Sequence, residues 1–362
     1  MKKKKRRKLR RITQILSALF LTATVAYSGC LVFKRHKENM AKDAVQTSVS
    51  IAETTVTSAE KAVTATEVTE VTTESEAASL ILYPERNENT VVFGDEYDVK
   101  NAILINVDDN VVIARKNERY RMYPASLTKV MTLIVAVENI ENMHDKVLIT
   151  DDMITPYVEQ DASRAGFLPD ETPSVKDLLY GMVLNSGADA ALAVAEYVAG
   201  SEEKFVELMN IQGEELGLYA THFTNVVGLH DSNHYSTAED MAVILEYAIR
   251  NETCRKILST EDYEVAETEQ NPDGLVFKST LFSRMYGDEM PGITIKGGKT
   301  GYTDVSRHCV ESFAVDDEGK TYILVLCGST TKWNAIYDTL SAYSVLCVDG
   351  EPYSSSRSRK WK

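Results

Sequence analysis

The chain has 362 residues and a formal net charge of −15, from 39 Lys and Arg against 54 Asp and Glu. Twelve of the basic residues lie in residues 1–37, which contain no acidic residue, so the rest of the chain carries 27 positive and 54 negative groups. Such an acidic body excludes nucleic acid as an expected partner, because phosphates bind to basic surfaces. Five cysteines are too few for a disulfide framework in a chain of this length.

A basic run followed by an apolar segment begins the chain. Nine positive charges lie in residues 1–11, and residues 12–33 contain no charged side chain. About 20 apolar residues in a helix span a bilayer core of roughly 30 Å. The positive charges therefore predict a cytoplasmic segment at 1–11, a transmembrane signal-anchor at 12–33 and a single-pass protein of the cell membrane with an extracellular remainder. The alternative is a signal peptide whose cleavage secretes the protein.

Residues 34–90 have the composition of a flexible stalk. Thr, Ser, Glu and Ala predominate there, and large apolar residues are few. Such a segment buries too little apolar surface to offset the entropy of ordering it. We expect this stalk to lead into a folded domain at 91–347, which a short tail at 348–362 follows.

The predicted elements of the folded domain follow an α+β order. A hairpin signal at 108–110 joins strands at 102–107 and 111–114. Helical periodicity and capping patterns, with Ser174 and residues 236–239 as N-terminal signals, predict helices at 126–138, 175–199, 202–216 and 237–250. Four more strands are predicted at 277–281, 293–296, 307–315 and 320–328, before a last helix at 333–347. This order predicts an antiparallel sheet flanked by helices, with a mostly helical insertion.

Two cysteines face each other in the predicted hairpin at 307–328. Antiparallel pairing about the turn at 316–319 places Cys309 nearly opposite Cys327. The pattern favours two small buried thiols. A cross-strand disulfide is the alternative.

Ser126 and Lys129 form a candidate nucleophile and base. Residues three apart on a helix share a face, with Cβ atoms about 5–6 Å apart. A serine hydroxyl becomes a good nucleophile when a base takes its proton, and a lysine does so only when it is neutral. Burial and a nearby positive charge both lower the pKa of a lysine. Lys299, at the end of a predicted strand, is the candidate for that second charge.

Two further motifs follow in the order that acyl-transfer chemistry with a lysine base requires. They are Ser186-Gly187-Ala188 and Lys299-Thr300-Gly301. The second motif follows the strand at 293–296 and has glycines before and within it. Glycines there let a substrate backbone lie against the strand edge. A simple turn at Gly297-Gly298 is the alternative.

The three motifs resemble those of the low-molecular-mass penicillin-binding proteins, specifically the serine-type D-alanyl-D-alanine carboxypeptidases of the peptidase S11 group. The resemblance covers roughly residues 91–347. Similar blocks surround the motifs, at residues 123–132, 221–229, 234–242 and 297–303. It implies a β-lactamase/transpeptidase-like fold, with no metal and no cofactor.

The resemblance implies roles in catalysis. Ser126 attacks the carbonyl between the two terminal D-alanines of a peptidoglycan stem peptide, and Lys129 accepts its proton. Ser186 relays a proton toward the leaving amine. Water then hydrolyses the acyl-enzyme, and β-lactams acylate Ser126 as inhibitors.

The resemblance also implies which residues bind substrate. Lys299 shapes the electrostatics of the site, and Thr300 helps to bind the terminal carboxylate. The backbone N–H groups of Ser126 and Tyr302 form the oxyanion hole. Gly301 and Ala188 complete the predicted substrate-binding residues.

The sequence departs from the family pattern at three places. Ala188 stands where the second motif usually has asparagine. Lys332 lies in the stretch where relatives often carry an arginine for the substrate carboxylate, and a lysine lacks the bidentate fork. Arg307, in place of a small residue, is one candidate for that cation, and a solvated strand-end arginine is the other interpretation. Ala188 and Asn334 make a low-activity or inactive wall-binding or regulatory protein on the same fold an alternative function. A β-lactamase or esterase is a further alternative, which the lack of a Glu-x-x-Leu-Asn segment weakens.

Overall fold

The computed structural model describes residues 83–285 and 290–353. The predicted cytoplasmic segment, the predicted membrane span and most of the predicted stalk lie outside the described residues, so they stay predictions. In the described part of the chain, no helix has both the length and the apolar character needed to cross a membrane.

A six-stranded sheet forms the centre of the fold. Its strands are β1 (Val91–Val92), β2 (Asn101–Asn106), β3 (Val111–Lys116), β6 (Ile293–Thr303), β7 (Arg307–Asp316) and β8 (Thr321–Ser329). The spatial order is β1-β3-β2-β8-β7-β6, so strands from both ends of the domain meet in one sheet. All neighbours are antiparallel except β1 and β3. The predicted α+β class with an antiparallel sheet is therefore confirmed.

Helices occupy the chain between the early and late strands. They are α1 (Thr128–Asn139), α2 (Asp151–Glu159), α3 (Val175–Leu184), α4 (Ala188–Ala199), α5 (Glu202–Glu215), α6 (Ala238–Arg250), α7 (Glu252–Leu258) and α8 (Phe282–Met285). A small hairpin of β4 (Asp262–Val265) and β5 (Leu275–Lys278) interrupts them, and α9 (Lys332–Cys347) ends the fold. This is the mostly helical insertion that the sequence predicts.

The two faces of the sheet pack against different helices. Because side chains alternate along a strand, Phe313 and Val325 face the helical block and form the main core with helices such as α1. Their neighbours Ala314 and Leu324 face the opposite side, where Tyr343 of α9 covers them. The predicted site lies on the first of these faces.

The predicted helix at 175–199 is wrong as one continuous element. It divides into α3 and α4, and Ser186 between them has a φ of +59°, outside the right-handed helical region. Apolar periodicity continues through the break and hides it. The start of α3 is as predicted, since the Ser174 hydroxyl accepts a hydrogen bond from the Asp177 backbone N–H and Asp177 bonds back to the Ser174 N–H.

Other predicted boundaries differ in detail. The strand predicted at 277–281 is β5, Leu275–Lys278. The N-cap of α6 is Thr237, whose side chain accepts from the Asp240 N–H. β6 is longer than predicted and continues through Lys299-Thr300-Gly301, so the turn at Gly297-Gly298 is wrong. A Cβ on Gly297 would lie 2.5 Å from the Leu258 carbonyl oxygen, so close packing of β6 on α7 requires glycine here.

Residues 83–90 fall within the predicted stalk, and several of them contact the folded domain, among them Glu85, which pairs with the strand β3 at Val111. The Tyr83 hydroxyl donates to Asp240 over 2.5 Å. Arg86 forms ion pairs with Glu118 at 2.9 Å and with Glu239 at 2.6 Å. These contacts fix the start of the described chain against α6.

Cys309 and Cys327 are both buried free thiols in the structure. The register between β7 and β8 shifts at Cys309, between His308 and Val310. The favoured interpretation of two buried thiols is therefore confirmed.

Candidate active site

Ser126 lies on a short 3-10 turn, Ala125–Leu127, that leads into α1. Ala125 has a φ of +50°, so the chain bends sharply just before the serine. The loop at 225–229 packs directly against this bend, since a Cβ on Gly228 would lie 1.8 Å from the Ala125 carbonyl oxygen. Asn225 holds the loop, because its side-chain oxygen accepts N–H bonds from residues 227–229.

Lys129 is within hydrogen-bond reach of the candidate nucleophile. Its Nζ lies 3.2 Å from Ser126 Oγ, and it donates to the Val227 carbonyl over 2.8 Å. The side chain is 2% exposed. Burial, and then the charge of Lys299, hold the pKa of Lys129 well below its usual value of 10.5, against the opposing effect of Asp189. A neutral amine with one hydrogen bonded to Val227 has a lone pair free for the serine proton.

His234 supports the turn from behind. Its Nδ1 accepts from the Thr224 backbone N–H at 3.1 Å, so Nε2 carries the ring proton and donates to Thr128 Oγ1 over 2.8 Å. Burial lowers the pKa of His234 to about 4. The neutral ring thus fixes Thr128, two residues after the nucleophile.

Ser186 and Lys299 form the second half of the site. The left-handed backbone at Ser186 turns its hydroxyl toward Lys299, whose Nζ donates to Ser186 Oγ over 3.0 Å and to the Thr300 carbonyl over 2.8 Å. Burial lowers the pKa of Lys299 to about 7; Glu311 opposes this effect and Arg284 adds to it. Since the Ser186 oxygen accepts from Lys299, the serine proton is free to reach another acceptor.

Gly301 sits where β6 meets the nucleophile turn. A Cβ at this position would lie 2.9 Å from the Ser126 backbone nitrogen and 3.1 Å from Ala125 Cβ. Glycine therefore lets the edge strand approach the Ser126 N–H, a predicted oxyanion donor. Tyr302, which follows, is 48% exposed on the same edge.

A cleft of about 750 Å³ brings the predicted residues together. Seven of them line it: Ser126, Lys129, Ser186, Ala188, Thr300, Gly301 and Tyr302. Lys299 reaches the same place through its bond to Ser186. The structure thus assembles all eight predicted site residues, and their roles stay predictions.

Ala188 leaves the cleft wall without a carboxamide at this position. Its backbone N–H donates to the Ser163 carbonyl over 2.8 Å. The adjacent Asp189 is not a replacement, because its carboxylate accepts from the backbone N–H groups of Ala165 at 2.7 Å and Gly166 at 3.0 Å. Asp189 therefore holds the segment that directly follows the cleft-lining residues Ala162 and Ser163.

Arg284, which the sequence patterns did not reveal, lines the cleft from α8. Burial lowers its pKa, and its charge lowers the pKa values of Lys299 and His308, so it lies near both. Thr280 joins this end of the cleft through a 2.7 Å bond between its hydroxyl and that of Thr300.

Neither cation that the sequence suggested lines the cleft. Arg307 is exposed at the start of β7, and Lys332 is exposed at the start of α9. Arg307 nevertheless acts on Tyr302 and His308, which do line the cleft, so both interpretations of Arg307 stay predictions. No motif marks Arg284 in the sequence, so only the fold reveals its place.

The fold and the site together define a β-lactamase/transpeptidase-like protein with a Ser-x-x-Lys active centre. The family model described as D-alanyl-D-alanine carboxypeptidase, Peptidase S11, matches residues 86–331. The chain belongs to this family, as its motifs predict.

Curated relatives carry the same description. D-alanyl-D-alanine carboxypeptidase DacF of Bacillus subtilis is 35% identical over 240 residues, which cover 65% of this chain and 59% of the relative. DacA of Escherichia coli is 32% identical over 255 residues, covering 68% and 60%. The chain thus spans about three fifths of the length of these relatives.

Solved structures agree with the fold. The crystal structure of the Streptomyces K15 DD-transpeptidase has a TM-score of 0.60 and 28% identity, over 67% of this chain and 94% of that chain. Penicillin-binding protein 5 from Haemophilus influenzae has a TM-score of 0.62 and 27% identity, covering 70% and 72%.

Proposed function

We propose that this protein is a serine D-alanyl-D-alanine carboxypeptidase that removes the terminal D-alanine from peptidoglycan stem peptides. The observation that carries the proposal is the 3.2 Å contact between Ser126 Oγ and a buried Lys129 amine whose pKa is far below its usual value. Membership of the S11 family and relatives named as D-alanyl-D-alanine carboxypeptidases support it.

Acylation begins when Ser126 Oγ attacks the carbonyl carbon of the penultimate D-alanine. Its proton passes to the neutral Nζ of Lys129, and the carbonyl π electrons move to oxygen. The backbone N–H groups of Ser126 and Tyr302 stabilise that oxyanion. The Ser126 N–H also lies at the start of α1, where the helix dipole favours negative charge.

Breakdown of the tetrahedral intermediate cleaves the peptide C–N bond. The leaving amine takes the hydroxyl proton of Ser186, and the proton that Lys129 took from Ser126 replaces it, so Lys129 is neutral again. Lys299, whose Nζ is 3.0 Å from Ser186 Oγ, keeps its proton and holds that hydroxyl in place. The product is an ester on Ser126 and free D-alanine. A water molecule then attacks the ester while Lys129 accepts its proton. Lys129 returns that proton to Ser126 Oγ as the ester C–O bond breaks, which restores the serine and releases the shortened peptide as a carboxylic acid.

Arg284 and Thr300 bind the terminal carboxylate of the substrate in this proposal. They share one end of the cleft with Thr280 and His308. A guanidinium offers a bidentate pair of donors to a carboxylate, and its partial burial strengthens that interaction. Arg284 thus supplies the cation that no sequence motif marks.

A β-lactam enters the same scheme as an inhibitor. Its strained amide carbonyl takes the place of the scissile peptide bond, and its carboxylate takes the place of the D-alanine carboxylate.

We also propose that the N-terminal apolar segment anchors the protein in the cell membrane with the catalytic domain outside. The basic run before residues 12–33 supports this.

Ala188 favours a second candidate function, a wall-binding or regulatory protein with little turnover. A carboxamide at this place would contact the substrate amide, and Ala188 cannot.

One experiment separates the two functions. The full-length chain, purified in mild detergent, is incubated with a fluorescent penicillin and, separately, with a peptide that ends in D-Ala-D-Ala.

Covalent labelling together with release of free D-alanine is the expected result. Ser126→Ala is the control and abolishes the labelling. Labelling without D-alanine release supports the second function, and rapid hydrolysis of the penicillin supports a β-lactamase. Absence of both labelling and release contradicts the proposed function.

A further inference from the structure

Glu311 is a fully buried acid that the proposed mechanism does not use. It lies in the middle of β7 with 0% of its surface exposed. Neither carboxyl oxygen has a hydrogen-bond partner among the residues that the structure describes. Buried polar groups in proteins are nearly always hydrogen-bonded, so an unsatisfied carboxyl requires a reason.

The place of Glu311 in the sheet gives that reason. It is paired directly with Lys299 in the β6–β7 register, and residues directly opposite on antiparallel strands project from the same face. On the other side it is paired with Val325, which belongs to the main core. Glu311 therefore projects toward the helical block, behind the amine that contacts Ser186.

Lys299 is the cation that acts on Glu311. Burial raises the pKa of the Glu311 carboxyl well above its usual value, and the ammonium of Lys299 opposes this rise. In return, Glu311 raises the pKa of Lys299 against the effect of its own burial. Each charge therefore stabilises the other, and an ionised Glu311 favours the charged form of Lys299.

Other titratable groups near the pair come from several elements. Cys309 on β7 raises the pKa of Glu311, and Glu311 raises that of Cys327 on β8. From the cleft side, Arg284 lowers the pKa of Lys299, and Lys299 lowers that of Lys129.

Acids on α6, which packs against β7, are engaged elsewhere. Glu239 pairs with Arg86 and Arg119, Asp240 accepts from Tyr83 and Thr221, and Glu246 pairs with Arg250. Tyr343, one of two tyrosines on α9, donates to the Ser312 carbonyl on the opposite face of the sheet.

We infer that Glu311 is a positioning residue for acyl transfer, which keeps Lys299 charged over the pH range in which Lys129 is neutral. The inference rests on the proposed function, and it names the group that sets the pH range of the proposed acyl transfer. The acidic limit of activity is the protonation of Lys129, and the alkaline limit is the loss of charge from Lys299. A charged Lys299 moves the first limit down, and an ionised Glu311 moves the second limit up.

Removal of the Glu311 charge must then shorten the active range at its alkaline end. In Glu311→Gln, Lys299 loses its charge at lower pH, whereas at the acidic limit Lys299 is charged in both proteins. The test is the second-order rate of acylation of the full-length chain by a fluorescent penicillin, measured from pH 5 to pH 10. We expect a loss of at least tenfold at pH 8, with the alkaline limit moved down and no rise of the acidic limit.

Two further variants separate this role from a merely structural one. Glu311→Asp keeps the charge and restores acylation at pH 7 to within threefold of wild type. Glu311→Val removes an unsatisfied buried group, so its melting temperature is equal to or above that of wild type while its acylation is slow. Glu246→Gln is the matched control, a buried acid paired with Arg250, and it leaves the pH profile unchanged.

The outcomes are distinct. A wild type that the penicillin does not label overturns the proposed function and this inference with it. A labelled wild type whose pH profile coincides with that of Glu311→Gln overturns the inference alone. So does an equal loss at every pH accompanied by a lower melting temperature in both Glu311→Gln and Glu311→Val.

Discussion

Acid is expected to destabilise this fold through one buried histidine, His234. Its pKa is about 4 in the folded protein against 6.5 for an unperturbed histidine, because burial disfavours the charged ring. The unfolded chain therefore binds a proton between these two values that the folded protein does not. Stability from this group is complete above pH 6.5 and is lost as the pH falls to 4.

The size of the effect follows from the same two pKa values. One pKa unit corresponds to about 1.4 kcal/mol, so the free energy of unfolding should fall by about 3 kcal/mol between pH 7 and pH 4 on account of His234. Urea denaturation of wild type and His234→Gln across this range measures the contribution. The variant is less stable at pH 7, because the hydrogen bonds to Thr128 and Thr224 are altered. Its free energy of unfolding should change less between pH 7 and pH 4, because glutamine does not titrate.

A matched control is the exposed His144. His144→Gln should show the same loss of stability in acid as wild type. If His234→Gln and wild type lost the same free energy between pH 7 and pH 4, the assignment of a neutral, buried ring that holds Thr128 would be refuted.

Three further substitutions test the cleft. In steady-state kinetics, Arg284→Gln should raise KM for a D-Ala-D-Ala peptide at least tenfold with a smaller change in kcat, since a hydrogen bond to a charged group contributes ~1.5–3 kcal/mol. The control variant Arg307→Gln should leave KM unchanged. Gly301→Ala places a methyl group 2.9 Å from the Ser126 nitrogen, so penicillin acylation should slow at least tenfold, and equal rates would disprove the close approach. Asn225→Ala removes the acceptor for three backbone N–H groups and should lower the free energy of unfolding by about 2–3 kcal/mol, which urea denaturation measures; an unchanged midpoint would contradict this role.

The sequence predicted those parts of the site that local geometry determines. Ser126 and Lys129 are three residues apart at the start of a helix, so helical spacing alone brings them together. The hairpin of β7 and β8 follows from strand pattern and a turn signal, and Ser174 caps α3 as its sequence context indicates. In each case the interacting groups are close in the chain.

The parts that were missed depend on contacts between distant segments. Arg284 lies on a four-residue helix without a motif, and only the fold brings it to the cleft that Thr300 also lines. The break at Ser186 is hidden because apolar residues continue through it at helical spacing. Glu311 lies on β7 at a position that faces the protein core, where the strand pattern predicts an apolar residue. Only the β6–β7 register shows that it is paired with Lys299.

The charge state of Lys129 is the most direct test of the whole account. NMR of the full-length chain labelled with ¹³C at the lysine side chains, with the Lys129 signal assigned by its loss in Lys129→Arg, measures the pKa of this amine. We expect Lys129 to be neutral at pH 7.5, with its titration well below 10.5. A Lys129 that stays charged at pH 7.5 and titrates near 10.5 would contradict its role as the base for Ser126.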